Sequence, residues 1–148
     1  MIKFTIPLPA ITKKNHQQIR KSFRTGARYV AQSDQYTQYE QDAMWFIPRH
    51  HETIDYPVTV KCLFYMPTRR KVDKTNLEAA IHDILVKARL LADDNRDIIA
   101  STDGTRVYYD KDSPRTEVYI TPFEEEGYEL WSEKTKKKGK SNGRRKAD

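Results

Sequence analysis

The stretch from Asp73 to Asp94 constrains this 148-residue chain more than any other. Thr75-Asn76-Leu77-Glu78 has the spacing of a capping box, a Thr followed three residues later by a Glu. Leu77, Ile81, Ile84, Leu85 and Ala88 then recur at helical intervals. The spacing predicts a helix from Thr75 to about Leu90 with a single apolar stripe. Such a helix is stable only if that stripe lies on another layer. Acids bracket it: Asp73 precedes it, Asp83 lies within it, and Asp93-Asp94 follow it.

The flanking segments supply the second layer. Ile2, Phe4 and Ile6 alternate with Lys3 and Thr5, a strand stopped by Pro7 and Pro9. Ile19 to Phe23 and Ala27 to Ala31 flank Thr25-Gly26 as a hairpin. Ser33 or Asp34 caps a helix to about Phe46, with Tyr36, Tyr39, Ala43 and Phe46 on its stripe and Pro48 as its stop. Val58 to Tyr65 reads as a strand, and Met66 to Val72 as a basic loop. Beyond the Asp93-Asp94-Asn95 turn, Ile98 to Ala100, Arg106 to Tyr109 and Glu117 to Ile120 read as strands, with Asp103-Gly104 as a hairpin turn between the first two. The expected fold is α+β, a small mixed or antiparallel sheet with two main helices.

Composition narrows the setting. Cys62 is the single cysteine, which excludes a disulfide framework and a cysteine zinc cluster. No apolar run approaches the ~20 residues of a membrane span, and the first residues carry no signal-peptide core. A soluble protein of a reducing, cytoplasmic compartment is expected, with no membrane partner.

The net charge of +6 is unevenly spread. Residues 1–32 hold seven basic and no acidic groups, and residues 90–133 hold four basic and twelve acidic ones. Residues 134–148 hold eight basic and one acidic, so residues 1–133 alone carry a net −1. A domain over 1–122 is expected, followed by an acidic-then-basic tail over 123–148 that is disordered from about 134. That tail reads equally as a nonspecific nucleic-acid binder and as a solubilising end.

Carboxylates beside cations are the chemical signal. Hydrolysing a phosphodiester near neutral pH requires charge neutralisation and an activated water. Acids that gather Mg²⁺ supply both. Asp73, Asp83, Asp93 and Asp94 are the candidates, next to Arg69-Arg70-Lys71 and Lys74. The alternative is ordinary: Asp73 as a helix-start acid, Asp93-Asp94 as turn residues. At ~100° per residue from Leu77, Asn76 and Asp83 fall on one side of the apolar stripe, and Glu78 falls on the other as a capping partner. A helix ending near Leu90 would be ~24 Å long, whereas four extended residues reach back only ~14 Å. Asp73 and Asp94 therefore meet only if the helix is shorter, the loop folds back, or two chains share a site. The four histidines show no ligand spacing to one another, and the five glycines form no phosphate loop.

From Met66 to Asp94 the sequence resembles the RusA family of Holliday-junction resolvases. The resemblance rests on Met66-Pro67, Arg69-Arg70-Lys71, Asp73, Asn76-Leu77, Asp83 and Asp93-Asp94. It extends over about residues 2–121 through Lys13-Lys14-Asn15, Asp103-Gly104 and Pro114-Arg115. It implies a homodimeric Mg²⁺-dependent endonuclease, common in phages and prophages, that nicks four-way DNA symmetrically; Mn²⁺ is the alternative metal. Asp73 and Asp94 match the first and last family aspartates, with Asp83 or Asp93 completing the site and Asn76 supporting it. Lys13, Lys14, Asn15, Arg69, Arg70, Lys71 and Lys74 would face DNA. Two positions depart from the pattern. Thr75 stands where the family has a second aspartate, and Ala79 where it often has a lysine. A non-catalytic DNA-binding protein of the same fold is the rival reading, and Thr75 favours it.

Overall fold

A computed structural model of the chain describes residues 1–13 and 17–132. The elements are β1 (Ile2–Ile6), β2 (Gln17–Lys21), β3 (Arg28–Gln32), α1 (Asp34–Met44), β4 (Val58–Met66), α2 (Lys74–Lys87), β5 (Ile99–Ser101), β6 (Arg106–Tyr109) and β7 (Arg115–Pro122). The α+β expectation holds, with a mixed sheet and two helices. Lys14, Asn15 and the basic tail lie outside the described residues.

β4 is the centre of the sheet. Its alternate residues Val58, Val60, Cys62 and Phe64 are buried, as the period of two requires of a strand covered on one face. β7 pairs antiparallel with β4 and with β1. On the other side of β4, β5 and β6 both run parallel to it. Parallel pairing needs a crossover, and α2 supplies it between β4 and β5. Tyr36, Tyr39 and Ala43 of α1, and Leu77, Ala80, Ile81, Ile84 and Leu85 of α2, join Val118 and Ile120 of β7 in one core. β2 and β3 form a separate two-stranded sheet.

Three expectations need correction. Asp103-Gly104 is not a hairpin turn: β5 and β6 pair with successive parts of the same side of β4, and the turn interrupts one line of pairing. Gly104 has φ +89°, a left-handed conformation that favours glycine, and a Cβ there would also stand 2.6 Å from Lys61 Cδ and push that side chain aside. Thr105 repairs the gap, its hydroxyl accepting the buried Cys62 N–H at 3.1 Å. Second, α2 is capped by Asp73, not Thr75. Third, it ends at Lys87 rather than near Leu90.

That end has an identifiable cause. Arg89 N–H donates to Val86 C=O at 3.0 Å, and Leu90 N–H to Leu85 C=O at 3.1 Å, the paired bonds of a Schellman motif. Arg89 occupies the left-handed position, φ +61°, where glycine is usual. Leu90 and Leu85 are both buried, the apolar contact that accompanies the motif.

Residues 123–132, expected as the acidic start of a tail, are tied to the body. Asp97 accepts the backbone N–H groups of Trp131 and Ser132, each at 3.0 Å. Arg96 lies over the rings of Tyr128 and Trp131 at 4.2 and 4.6 Å, and the Tyr128 hydroxyl donates to the Arg96 carbonyl.

Candidate active site

The site is built around α2. At its start, Asp73 Oδ1 accepts the Thr75 N–H at 3.0 Å, and the Asp73 carbonyl accepts the N–H groups of Asn76 and Leu77. The helix dipole favours an anion there. The side chain remains exposed, and among the described residues its second oxygen makes no hydrogen bond. The basic loop leads into this cap. Arg69 lies over the Tyr109 ring at 4.7 Å, Arg70 and Lys71 are exposed, and Lys74 Nζ stands 3.6 Å from Glu78 Oε1.

At the far end, the Schellman turn sends the chain back. Ile54 holds the returning segment from both sides, its N–H donating to Leu90 C=O and its carbonyl accepting the Ala92 N–H. Leu91 N–H reaches Leu85 C=O at 3.3 Å. Asp93 then shapes the turn with both carboxylate oxygens. Oδ1 accepts the Asp94 N–H at 2.7 Å, and Oδ2 accepts Asn95 Nδ2 at 3.1 Å. Asp94 is left exposed, and its charge is felt by His82 in the middle of α2. The helix is shorter than expected, and the chain after it turns back at Leu90 and Leu91 against Leu85 and Ile54.

Glu78 and His82 occupy the flank that Asp94 approaches. They are one helical turn apart, on the stripe that also carries Thr75. Among the described residues, Glu78 Oε1 and His82 Nε2 are both buried without a hydrogen-bond partner. Burial pushes the His82 imidazole below its ordinary pKa, against the upward pull of Glu78 and then Asp94. The ring is therefore neutral at pH 7, with a lone pair on one nitrogen. Sequence reasoning missed both residues. Glu78 has the spacing of a capping partner, and the four histidines have no ligand spacing to one another. The Glu–His pair at i, i+4 was the available signal.

Asp83 is placed on the other flank of α2. Its carboxylate lies 2.6 Å from Lys13 Nζ and 3.3 Å from Lys87 Nζ. Lys87 in turn binds both oxygens of Glu40 at 3.0 Å. Tyr36 is buried beside this network, and burial, Glu40 and Asp83 together raise its phenol pKa. The structure therefore sets Asp73 at the start of α2, Glu78 and His82 on one flank of it, and Asp94 exposed beyond its end, and gives Asp83 cationic partners on the other flank. Asn76 is half-buried in the first turn. Cys62 is no nucleophile: burial pushes its thiol up to about 12.

Among the described residues, no three His, Cys, Asp or Glu side chains converge into a cage. Mg²⁺ asks for less, one or two carboxylates completed by water and substrate phosphate oxygens. A buried carboxylate oxygen and a buried imidazole nitrogen, neither hydrogen-bonded among the described residues, have the donor chemistry for such an ion. Among the described residues no helix is long and apolar enough to cross a membrane. Residues 7–121 match the family model described as Endodeoxyribonuclease RusA. A comparison with curated proteins gives no match.

Proposed function

The chain belongs to the RusA family of endodeoxyribonucleases, and from that premise we propose that it resolves four-way DNA junctions by paired, symmetric nicks. It would act as a homodimer with Mg²⁺, for which Mn²⁺ substitutes. The observation that carries this reading is a pair of buried side-chain atoms one helical turn apart, His82 Nε2 and Glu78 Oε1, that have no hydrogen-bond partner among the described residues, with only the Lys74 ammonium at 3.6 Å to balance the carboxylate.

Asp94 and Asp73 would hold the ion. Glu78 would supply the carboxylate that Thr75 lacks, from one turn further along the same stripe. When bound, the ion lowers the pKa of water and neutralises phosphate charge. The remaining work falls to the protein. His82, kept neutral by burial, offers a ring nitrogen to hold the attacking water. Asp93 fixes the turn that presents Asp94. Arg69, Arg70, Lys71 and Lys74 neutralise phosphates at the mouth of the site, with Lys13 steered by Asp83 on the neighbouring flank. The fold-back of residues 88–94 supports a site formed within one protomer, with the second nick made by the second copy. Selectivity would come from junction shape, since phosphate contacts position a protein without reading bases.

The test is incubation of a labelled four-way junction with the protein and Mg²⁺. Paired nicks at symmetric positions are expected. Binding without cleavage would replace this reading with the non-catalytic one.

A further inference from the structure

The β2–β3 hairpin stands apart from the main sheet and ends in an unusual tip. Its strands pair in register from Gln17↔Gln32 to Lys21↔Arg28. The connecting loop is heavily hydrogen-bonded. Ser22 N–H donates to Ala27 C=O at 2.8 Å, Gly26 N–H to Ser22 C=O at 2.9 Å, and Ala27 N–H to the Thr25 hydroxyl at 3.3 Å. Gly26 takes the left-handed conformation, φ +69°, that closes the loop. On this hydrogen-bonded tip the Phe23 ring is entirely in solvent. One pair back from the loop, where Arg20 lies opposite Tyr29, Arg20 donates to Asp34 at 2.8 Å and so ties the arm to the start of α1.

A single exposed aromatic is unremarkable. Its surroundings here are not. Lys21, Arg24 and Arg28 are all exposed along the arm and carry no ion pair among the described residues. Residues 1–32 contain no acid at all. The arm is thus a cationic sleeve with an apolar point. Cations neutralise DNA phosphates, and phenylalanine wedges insert between bases at a cost set by unstacking. A branch point already interrupts stacking, so the cost there is lowest.

We propose that the β2–β3 arm inserts Phe23 at the branch point of junction DNA while Lys21, Arg24 and Arg28 grip the flanking phosphates. The proposal rests on the junction reading above and adds the element that finds the crossover.

The experiment uses the full chain and a four-way junction with 2-aminopurine at the crossover, binding being measured without divalent cation and nicking with Mg²⁺. The wild-type protein should change the 2-aminopurine fluorescence. Phe23→Ala should lose that change and bind the junction about tenfold more weakly, with linear duplex affinity unaltered. Phe23→Leu should keep part of the signal. Joint Lys21→Ala, Arg24→Ala and Arg28→Ala should weaken junction and duplex alike and flatten the salt dependence. A Phe23→Ala protein that keeps both the fluorescence change and the junction preference overturns the wedge and leaves the nuclease reading standing. A wild-type protein that neither prefers nor nicks junctions overturns both. A change of sedimentation on Phe23→Ala without DNA would assign the tip to a second copy of this chain, and so also overturn the proposal.

Discussion

Lys13 Nζ sits 2.6 Å from the Asp83 carboxylate, which joins the N-terminal basic segment to the flank of α2 away from Asp94. Burial raises the Asp83 pKa, but hydrogen bonding and charge from Lys13 and then Lys87 outweigh it and hold the carboxyl below its ordinary value. Both partners of the Lys13 pair are about a third exposed, so screening limits its worth to ~1 kcal/mol or less. Asp83→Asn should therefore lower stability only slightly. It should leave Mn²⁺ affinity, measured by calorimetry, within about twofold of wild type while weakening junction binding, because Lys13 loses its anchor. A large loss of Mn²⁺ affinity would instead make Asp83 a ligand.

Asp73 and Asp94 carry the opposite expectation. Asn at position 73 still caps a helix, whereas Ala there would cost ~1 kcal/mol, so Asp73→Asn separates chemistry from folding. Each Asn variant should bind junction DNA yet lose more nicking than the ~10–100-fold that removing a residue behind a ligand typically costs. Mixed dimers of Asp73→Asn and Asp94→Asn subunits should be inactive, since a site within one protomer leaves no wild-type site in that mixture. Activity in the mixed dimer would show that two chains share each site.

Glu78→Gln tests the carboxylate that stands in for Thr75. It should weaken Mn²⁺ binding by calorimetry and electron paramagnetic resonance, with the thermal midpoint unchanged or raised because a partly buried charge is removed. Thr75→Asp, in the Glu78→Gln background, should recover metal affinity. Unaltered Mn²⁺ binding in Glu78→Gln would remove Glu78 from the site.

Arg89 provides a stability test far from the chemistry. It holds φ +61° at the position after the α2 cap, where an L side chain is disfavoured. Arg89→Gly should stabilise the protein by ~0.5–1 kcal/mol, less the entropy that glycine adds to the unfolded chain. A raised midpoint in thermal unfolding is the expected result.

Asp97 predicts a pH effect. Hydrogen bonds from the Trp131 backbone first, then from Ser132, with Arg96 nearby, keep its carboxyl below the ordinary 3.8. A depressed carboxylate stabilises the folded state fully above its unfolded pKa, and that contribution is lost as pH falls through the folded one. Trp131 fluorescence should therefore be constant above about pH 4 and change as acid is added below it. Asp97→Asn should remove that acid transition.

The sequence exposed what local chemistry dictates. Alternation gave β1, a run of β-branched and aromatic residues gave β4, the apolar stripes gave both helices, and the clustered acids and cations gave the basic loop and the candidates Asp73 and Asp94. What it hid depends on distant partners. Thr75 and Asp73 are both competent caps, and only the approach of the preceding loop selects Asp73. Asp103-Gly104 has hairpin composition, but α2 had already committed the chain to a parallel return. Arg89 carries no glycine-like signal, so the helix end was set too late and Asp94 too far away. Glu78 and His82 gain meaning only when the folded-back loop brings a third charge beside them.

The interruption at Thr102 to Thr105 also limits how this protein can associate. An open sheet margin is a template for another strand, from a sister molecule or an aggregate. Beside β4 that margin is broken into a three-residue and a four-residue piece, with Gly104 and the Lys61 side chain crowded at the break. An incoming strand would find no continuous run of backbone groups there. Among the described residues, β1 is the outermost strand at the opposite margin, with five residues paired to β7 on one side only. Two copies that join by extending a common sheet must therefore meet through β1, and a charge-bearing substitution at an outward position of that strand would act on self-association while leaving the acidic flank of α2 untouched.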